Sequence, residues 1–93
     1  MAKVKYLGKL RALTGTSGET VDAETVGALI EALSGRGERL RKLLLPDGRF
    51  NGDDVQILVN GRNKDFLDDL ETRLGDEDRV TVFVHGARGF PGG

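Results

Sequence analysis

The chain has 93 residues, a formal net charge of −1, 38% apolar and 31% charged residues, and no cysteine. That composition suits one small globular domain with a modest core, too little chain for a deep enzyme cleft. It excludes disulfides, thiolate metal sites and thiol nucleophiles, and it shows no global basic bias toward nucleic acid or an anionic membrane.

"KVKYLG" alternates, with Val4 and Tyr6 on one side and Lys5 and Leu7 on the other, so it predicts a strand. "LRALTGTSG" gives way to turn residues, "ETVDAE" predicts a short second strand, and Gly15-Thr16-Ser17-Gly18 between them predicts a hairpin connection. From Thr25 the period changes. Val26, Leu29, Ile30 and Leu33 form one apolar helical stripe, with Thr25 at the N-cap position and Gly35 at the end. Gly27 weakens that helix by roughly 1 kcal/mol relative to alanine, so packing must hold it.

"RGERLRKLLLPDGRF" places Leu40, Leu43 and Leu44 at short helical spacing, with Pro46-Asp47-Gly48 as a stop and Arg36, Arg39, Arg41 and Lys42 on the exposed side. "DVQILVNGR" is the clearest strand: Val55, Ile57 and Val59 alternate with Gln56, Leu58 and Asn60, and Asn60-Gly61 signals a tight turn. "FLDDLETRLGDEDRV" reads as an acidic connection pinned by Phe66, Leu67, Leu70 and Leu74. "RVTVFV" is the last strand, with Val80, Val82 and Val84 inward and Thr81 and Phe83 outward.

This order predicts an α+β fold in two layers, a sheet covered on one face by one main helix. Its domain would span residues 1–84, with a flexible C-terminal Gly-Gly tail over 85–93. Leu7, Leu58 and Phe83 fall at solvent-side positions of the uncovered face, and a contiguous apolar patch there would mark a contact surface. Their contiguity depends on strand order, which the sequence does not give.

Little in the chain resembles catalytic machinery. His85 is the single histidine and reads as a solvated loop residue. The acidic run Asp65, Asp68, Asp69, Glu71, Asp76, Glu77 and Asp78 lacks EF-hand spacing and reads as a solvated or docking face, so no metal site is expected. No P-loop follows the glycines, and no nucleophile, base and oxyanion site assemble. A catalytic role of its own is therefore not expected, nor is a membrane span, and the cytoplasm is the expected compartment.

The chain ends in "HGARGFPGG". Nine extended residues reach roughly 30 Å. Phe90 before Pro91 favours extended backbone, and the last two glycines lack the Cβ that would block a narrow channel. Such an end suits delivery of a terminal carboxylate into another protein's active site. A carboxylate is a poor electrophile, so chemistry there needs activation, for which an acyl-adenylate formed from ATP is the usual route. A terminal glycine pair also arises by chance, and it gains force only with the fold.

Together, "KVKYLGKLRALTG", "ETVGALIEAL", "VNGRNKDFLDDLETRL", "LGDEDRV" and the terminal "GG" resemble the MoaD/ThiS-type β-grasp sulfur carriers, a ubiquitin-like family. The insertion "RGERLRKLLLPDGRF" is similar to the longer, MoaD-like members. Two departures stand out: Glu77 replaces the glycine of the Leu-x-Asp-Gly-Asp-x-Val segment, and the tail is several residues longer. The resemblance implies a ubiquitin-like β-grasp with a mixed sheet. It also implies that Gly93 is adenylated by a ubiquitin-activating-type enzyme that uses ATP, that Gly92 eases its entry, and that a thiocarboxylate then donates sulfur in molybdopterin-like or related cofactor biosynthesis. No cofactor would be bound by the chain itself. Partners would dock on the open sheet face, which here corresponds to Leu7 and Phe83, and the sulfur acceptor would be a synthase; the strand pattern adds Leu58, and Phe90 in the tail is expected as a further contact. The competing reading is a ubiquitin-like modifier joined through Gly93 to lysines of target proteins. A third is a non-covalent binding module whose tail is incidental.

Overall fold

The computed structural model describes residues 1–84. Strand β1 (Ala2–Tyr6) buries Ala2, Val4 and Tyr6 and exposes Lys3 and Lys5, as strict alternation requires. A short helix, α1 (Lys9–Thr14), then replaces the expected simple hairpin connection. Leu10 is buried beneath it, and Gly15 closes it in a left-handed conformation with its amide donating to the Arg11 carbonyl. Six residues are too few to hold a helix by propensity, so burial of Leu10 does so.

β2 (Gly18–Val21) runs back antiparallel to β1, placing Val4 opposite Glu19. The main helix, α2 (Val26–Ser34), starts where expected: the Thr25 hydroxyl accepts the Ala28 amide at 3.0 Å. Val26, Leu29, Ile30 and Leu33 are all buried. Gly27 sits where α2 meets a later turn, since a Cβ there would lie 3.1 Å from the Leu70 carbonyl oxygen. The glycine that weakens the helix also permits this close approach.

α3 (Glu38–Leu44) buries Leu40 and Leu44, as its spacing predicts. β3 (Val55–Val59) buries Val55, Ile57 and Val59. Asn60 and Gly61 then both take positive φ, 53° and 84°, which reverses the chain into β4 (Arg62–Asn63). Two 3₁₀ turns follow, Lys64–Phe66 and Asp69–Glu71, before β5 (Arg79–Val84).

The sheet order is β2-β1-β5-β3-β4. β1 and β5 are parallel, and every other pairing is antiparallel. The first and last strands are therefore neighbours, and β5 is central. The apolar side chains of α2 and α3 meet the inward residues of β1, β3 and β5 in one core. Leu74 joins that core, and Leu67 and Leu70 pack against it. Phe66 does not. It is 84% exposed, because the 3₁₀ turn that carries it points the ring outward, so it pins nothing.

This assignment has a direct consequence. Leu33→Ala should cost about 2–5 kcal/mol by removing fully packed core volume, whereas Phe66→Ser should stay within about 0.5 kcal/mol. Urea unfolding of the two variants checks the contrast, and a large loss at Phe66 would contradict its placement.

Candidate functional site

With one face of the sheet filled by the core, alternation sends the intervening side chains to the other. Lys3 and Lys5 of β1, Arg79, Thr81 and Phe83 of β5, and Gln56 and Leu58 of β3 therefore share the open face. The register arranges them in rows. Lys3 lies opposite Arg79, and Lys5 lies opposite Thr81, which faces Leu58 on its other side. Phe83 lies opposite Gln56.

The Leu7 amide donates to the Val82 carbonyl at 3.2 Å, continuing the β1–β5 ladder one step and setting Leu7 beside Phe83. Leu58 stands diagonally across from Phe83 on the neighbouring strand, within reach of a large side chain. The three residues expected on the uncovered face thus form one patch, because β5 separates β1 from β3. Leu7 is 37% exposed, and Leu58 and Phe83 are half-buried. The patch lies at the Val84 end of β5, where the described chain stops. Gly92, Gly93, Phe90 and His85 lie outside the described residues.

Much of the acidic segment is solvent-exposed, as expected, and several of its carboxylates also brace the fold. Lys64 is 5% exposed; its ammonium donates to Asp65 at 2.7 Å and to Asp69, and lies 4.8 Å from the Phe50 ring centroid. Burial pulls its pKa down, but the two carboxylates outweigh that and the net shift is upward. The Asn63 side chain caps the same turn by accepting the Asp65 amide at 2.8 Å. Asp78 accepts the Asn60 side-chain amide at 3.0 Å and the Gly75 amide at 2.7 Å, which holds its pKa below the ordinary value. Asn60 in turn accepts the Arg79 amide at 2.9 Å, locking the tight turn to the start of β5. Among the described residues, no group of three or more His, Asp or Glu side chains could hold a metal ion, and no helix is long and apolar enough to cross a membrane.

Opposite the open face, the Tyr6 hydroxyl donates to Glu19 at 2.5 Å, and Arg36, just past α2, pairs with the same carboxylate. Burial and the Glu19 carboxylate push the Tyr6 phenol well above its ordinary pKa, while the Arg36 guanidinium holds Glu19 low. This cluster ties α2 to the β2 edge. Sequence reasoning found neither it nor the Lys64 clamp, since neither has a periodic signature.

A mixed five-stranded sheet with parallel first and last strands and its helices on one face defines a ubiquitin-like β-grasp protein. The chain belongs to the ThiS family, whose model matches residues 4–87. It is 37% identical over 68 residues to small archaeal modifier protein 3 of Haloferax volcanii, covering 73% of each chain. Its structure is similar to that of small archaeal modifier protein 1 from Methanosarcina acetivorans, with a TM-score of 0.85, 27% identity and 95% of each chain covered. It is also similar to a Pyrococcus furiosus protein assigned as molybdopterin converting factor subunit 1, with a TM-score of 0.68 and 32% identity, covering 89% of this chain and 94% of that one.

The two inward-facing titrating groups set the alkaline limit of the fold. Tyr6 and Lys64 both have folded pKa values above their ordinary 10.0 and 10.5, so the stability each contributes is complete below those values and is lost as pH rises past them. Urea midpoints should therefore fall between about pH 9 and about pH 11.5. A Tyr6→Phe/Lys64→Met variant should show a shallower fall; an unchanged slope would mean that these groups do not govern it.

Proposed function

We propose that this protein is a sulfur carrier whose reactive group is the carboxylate of Gly93. The observation that carries the reading is ThiS-family membership across the β-grasp domain, joined to a sequence that ends in Gly92-Gly93. In the first step the Gly93 carboxylate oxygen attacks the α-phosphorus of ATP in an adenylating enzyme, and pyrophosphate leaves. The product is an acyl-adenylate, a mixed anhydride. A sulfur nucleophile at the oxidation level of sulfide then adds to the carbonyl carbon and expels AMP, leaving a thiocarboxylate. The carrier would hand this sulfur to an acceptor in molybdopterin-like or related biosynthesis, in keeping with its likeness to a molybdopterin converting factor subunit.

Each part of the chain has a task in this scheme. The lack of a Cβ at Gly92 and Gly93 lets the end thread a narrow channel. Leu7, Leu58 and Phe83 form the apolar surface that docks the domain on the adenylating enzyme, and Phe90 adds a contact along the tail. No side chain of the carrier takes part in bond making; the partner supplies ATP and the catalytic groups. One observation favours a second use of the same intermediate: the 37% identical relative is a modifier protein. A lysine amine in place of sulfide would displace the activating group and form an isopeptide bond.

Intact-mass spectrometry after incubation with the host's adenylating enzyme, ATP and a sulfur donor tests the proposal. One terminal oxygen should be replaced by sulfur, and deletion of Gly93 should abolish the change. An unchanged mass, with an enzyme shown to be active, would overturn the activated-glycine reading. Gly93-dependent adducts of high molecular mass in cell extract would establish the modifier role.

A further inference from the structure

The open face has a second half. At the end of the sheet away from Leu7 and Phe83, Lys3 and Arg79 stand directly opposite each other on parallel neighbours, and Lys5 follows two residues along β1. These three cations, with Asn60, Gly61 and Thr81, line a shallow depression of about 340 Å³. Their neutralisation within the fold is slight. Glu77 approaches Lys3 at 3.8 Å with its side chain almost wholly in solvent. Asp78, which precedes Arg79, keeps its negative charge while its carboxylate accepts from Asn60 and Gly75, and it forms no ion pair with the row. Neither Lys5 nor Arg79 forms an ion pair with any described residue.

Like charges placed opposite each other on one sheet face are destabilising. The chain as a whole is slightly acidic, at −1, so this row is a local excess of positive charge. Among the described residues Lys3 has only the exposed Glu77 as an ion-pair partner, and Lys5 and Arg79 have none. The row is also continuous with the apolar patch, through Thr81 and Leu58.

We infer that the open face selects its protein partner by charge: a cluster of carboxylates on the partner seats over Lys3, Lys5 and Arg79 while an apolar side chain covers Leu7, Leu58 and Phe83. A protein fits better than a nucleic acid, because the adjoining half of the same face is apolar and the basic row spans only two strands. The inference rests on the carrier reading above, since the partner it concerns is the adenylating enzyme. Three cations brought against carboxylates give an association that weakens with salt, because exposed charges are screened over a Debye length of about 8–10 Å.

Steady-state adenylation kinetics with the host enzyme and full-length chains decide the matter. Wild type is compared with Lys5→Glu/Arg79→Glu on the open face and with Arg39→Glu/Lys42→Glu on α3, an equal change in net charge at a distant exposed site. The open-face variant should raise KM about tenfold or more with kcat little changed, and its KM should respond less to salt than that of wild type. The α3 variant should match wild type. Thermal melts confirm folding, and Lys5→Gln/Arg79→Gln, which relieves repulsion without introducing new charge, should give an intermediate KM. Equal KM values and equal salt slopes for wild type and the open-face variant would overturn the charge selection while leaving the carrier reading intact. Failure of wild type itself to be adenylated would overturn the carrier reading, and this inference with it.

Discussion

The pairing of β1 with β5 is the constraint on which the molecule depends. It joins Ala2–Tyr6 to Arg79–Val84, strands far apart in sequence, so closing the centre of the sheet encloses a long stretch of chain. Non-local closure of this kind carries an entropic cost that only burial can offset. The burial comes from α2, whose four apolar residues fill the space over Val4, Tyr6, Ile57, Val80 and Val82. With β5 central, Val80 and Val82 are wholly buried, and its outward residues occupy the middle of the open face. The same strand therefore lines the core on one side and the candidate docking face on the other.

Strands and the main helix were legible because their residues repeat. Val4 and Tyr6, Val55 to Val59 and Val80 to Val84 carry a period of two, and α2 carries the helical period together with a cap at Thr25. α1 and β4 were not legible, being six and two residues long, too short for any period to register. Phe66 shows a different limit. An apolar residue in an acidic loop reads as an anchor, but hydrophobicity alone does not fix direction where the backbone has no period. Its neighbours Leu67, Leu70 and Leu74 did turn inward, and nothing in their spacing distinguishes them from Phe66.

The candidate site was half legible for a related reason. Alternation placed Leu7, Leu58 and Phe83 on the uncovered face, but their union into one patch needed β5 to lie between β1 and β3. The cationic row was hidden by the same gap, since Lys3 and Arg79 are 76 positions apart in sequence and adjacent only through the parallel register. Lys64 was hidden more deeply. A lysine among aspartates reads as a solvated charge, and only the fold shows its ammonium buried beneath Phe50 between two carboxylates.

A carrier that meets one protein to be charged and another to be discharged must bind both transiently. The patch suits that need by being small. Fully burying one exposed leucine or phenylalanine is worth roughly 1.5–3 kcal/mol, and Leu58 and Phe83 are already half-buried, so each has less left to gain. Association of two proteins costs on the order of 4–15 kcal/mol in lost freedom. Three partly covered side chains therefore cannot hold a long-lived complex by themselves. The charge selection proposed above would supply what the patch lacks without prolonging residence, because exposed electrostatic complementarity acts mainly on encounter and orientation. A face that is apolar beside the exit of the chain and cationic at its far end also has a direction. On the charge selection proposed above it would be seated in only one sense on a partner of matching pattern, with the Val84 end of β5 beside the apolar half.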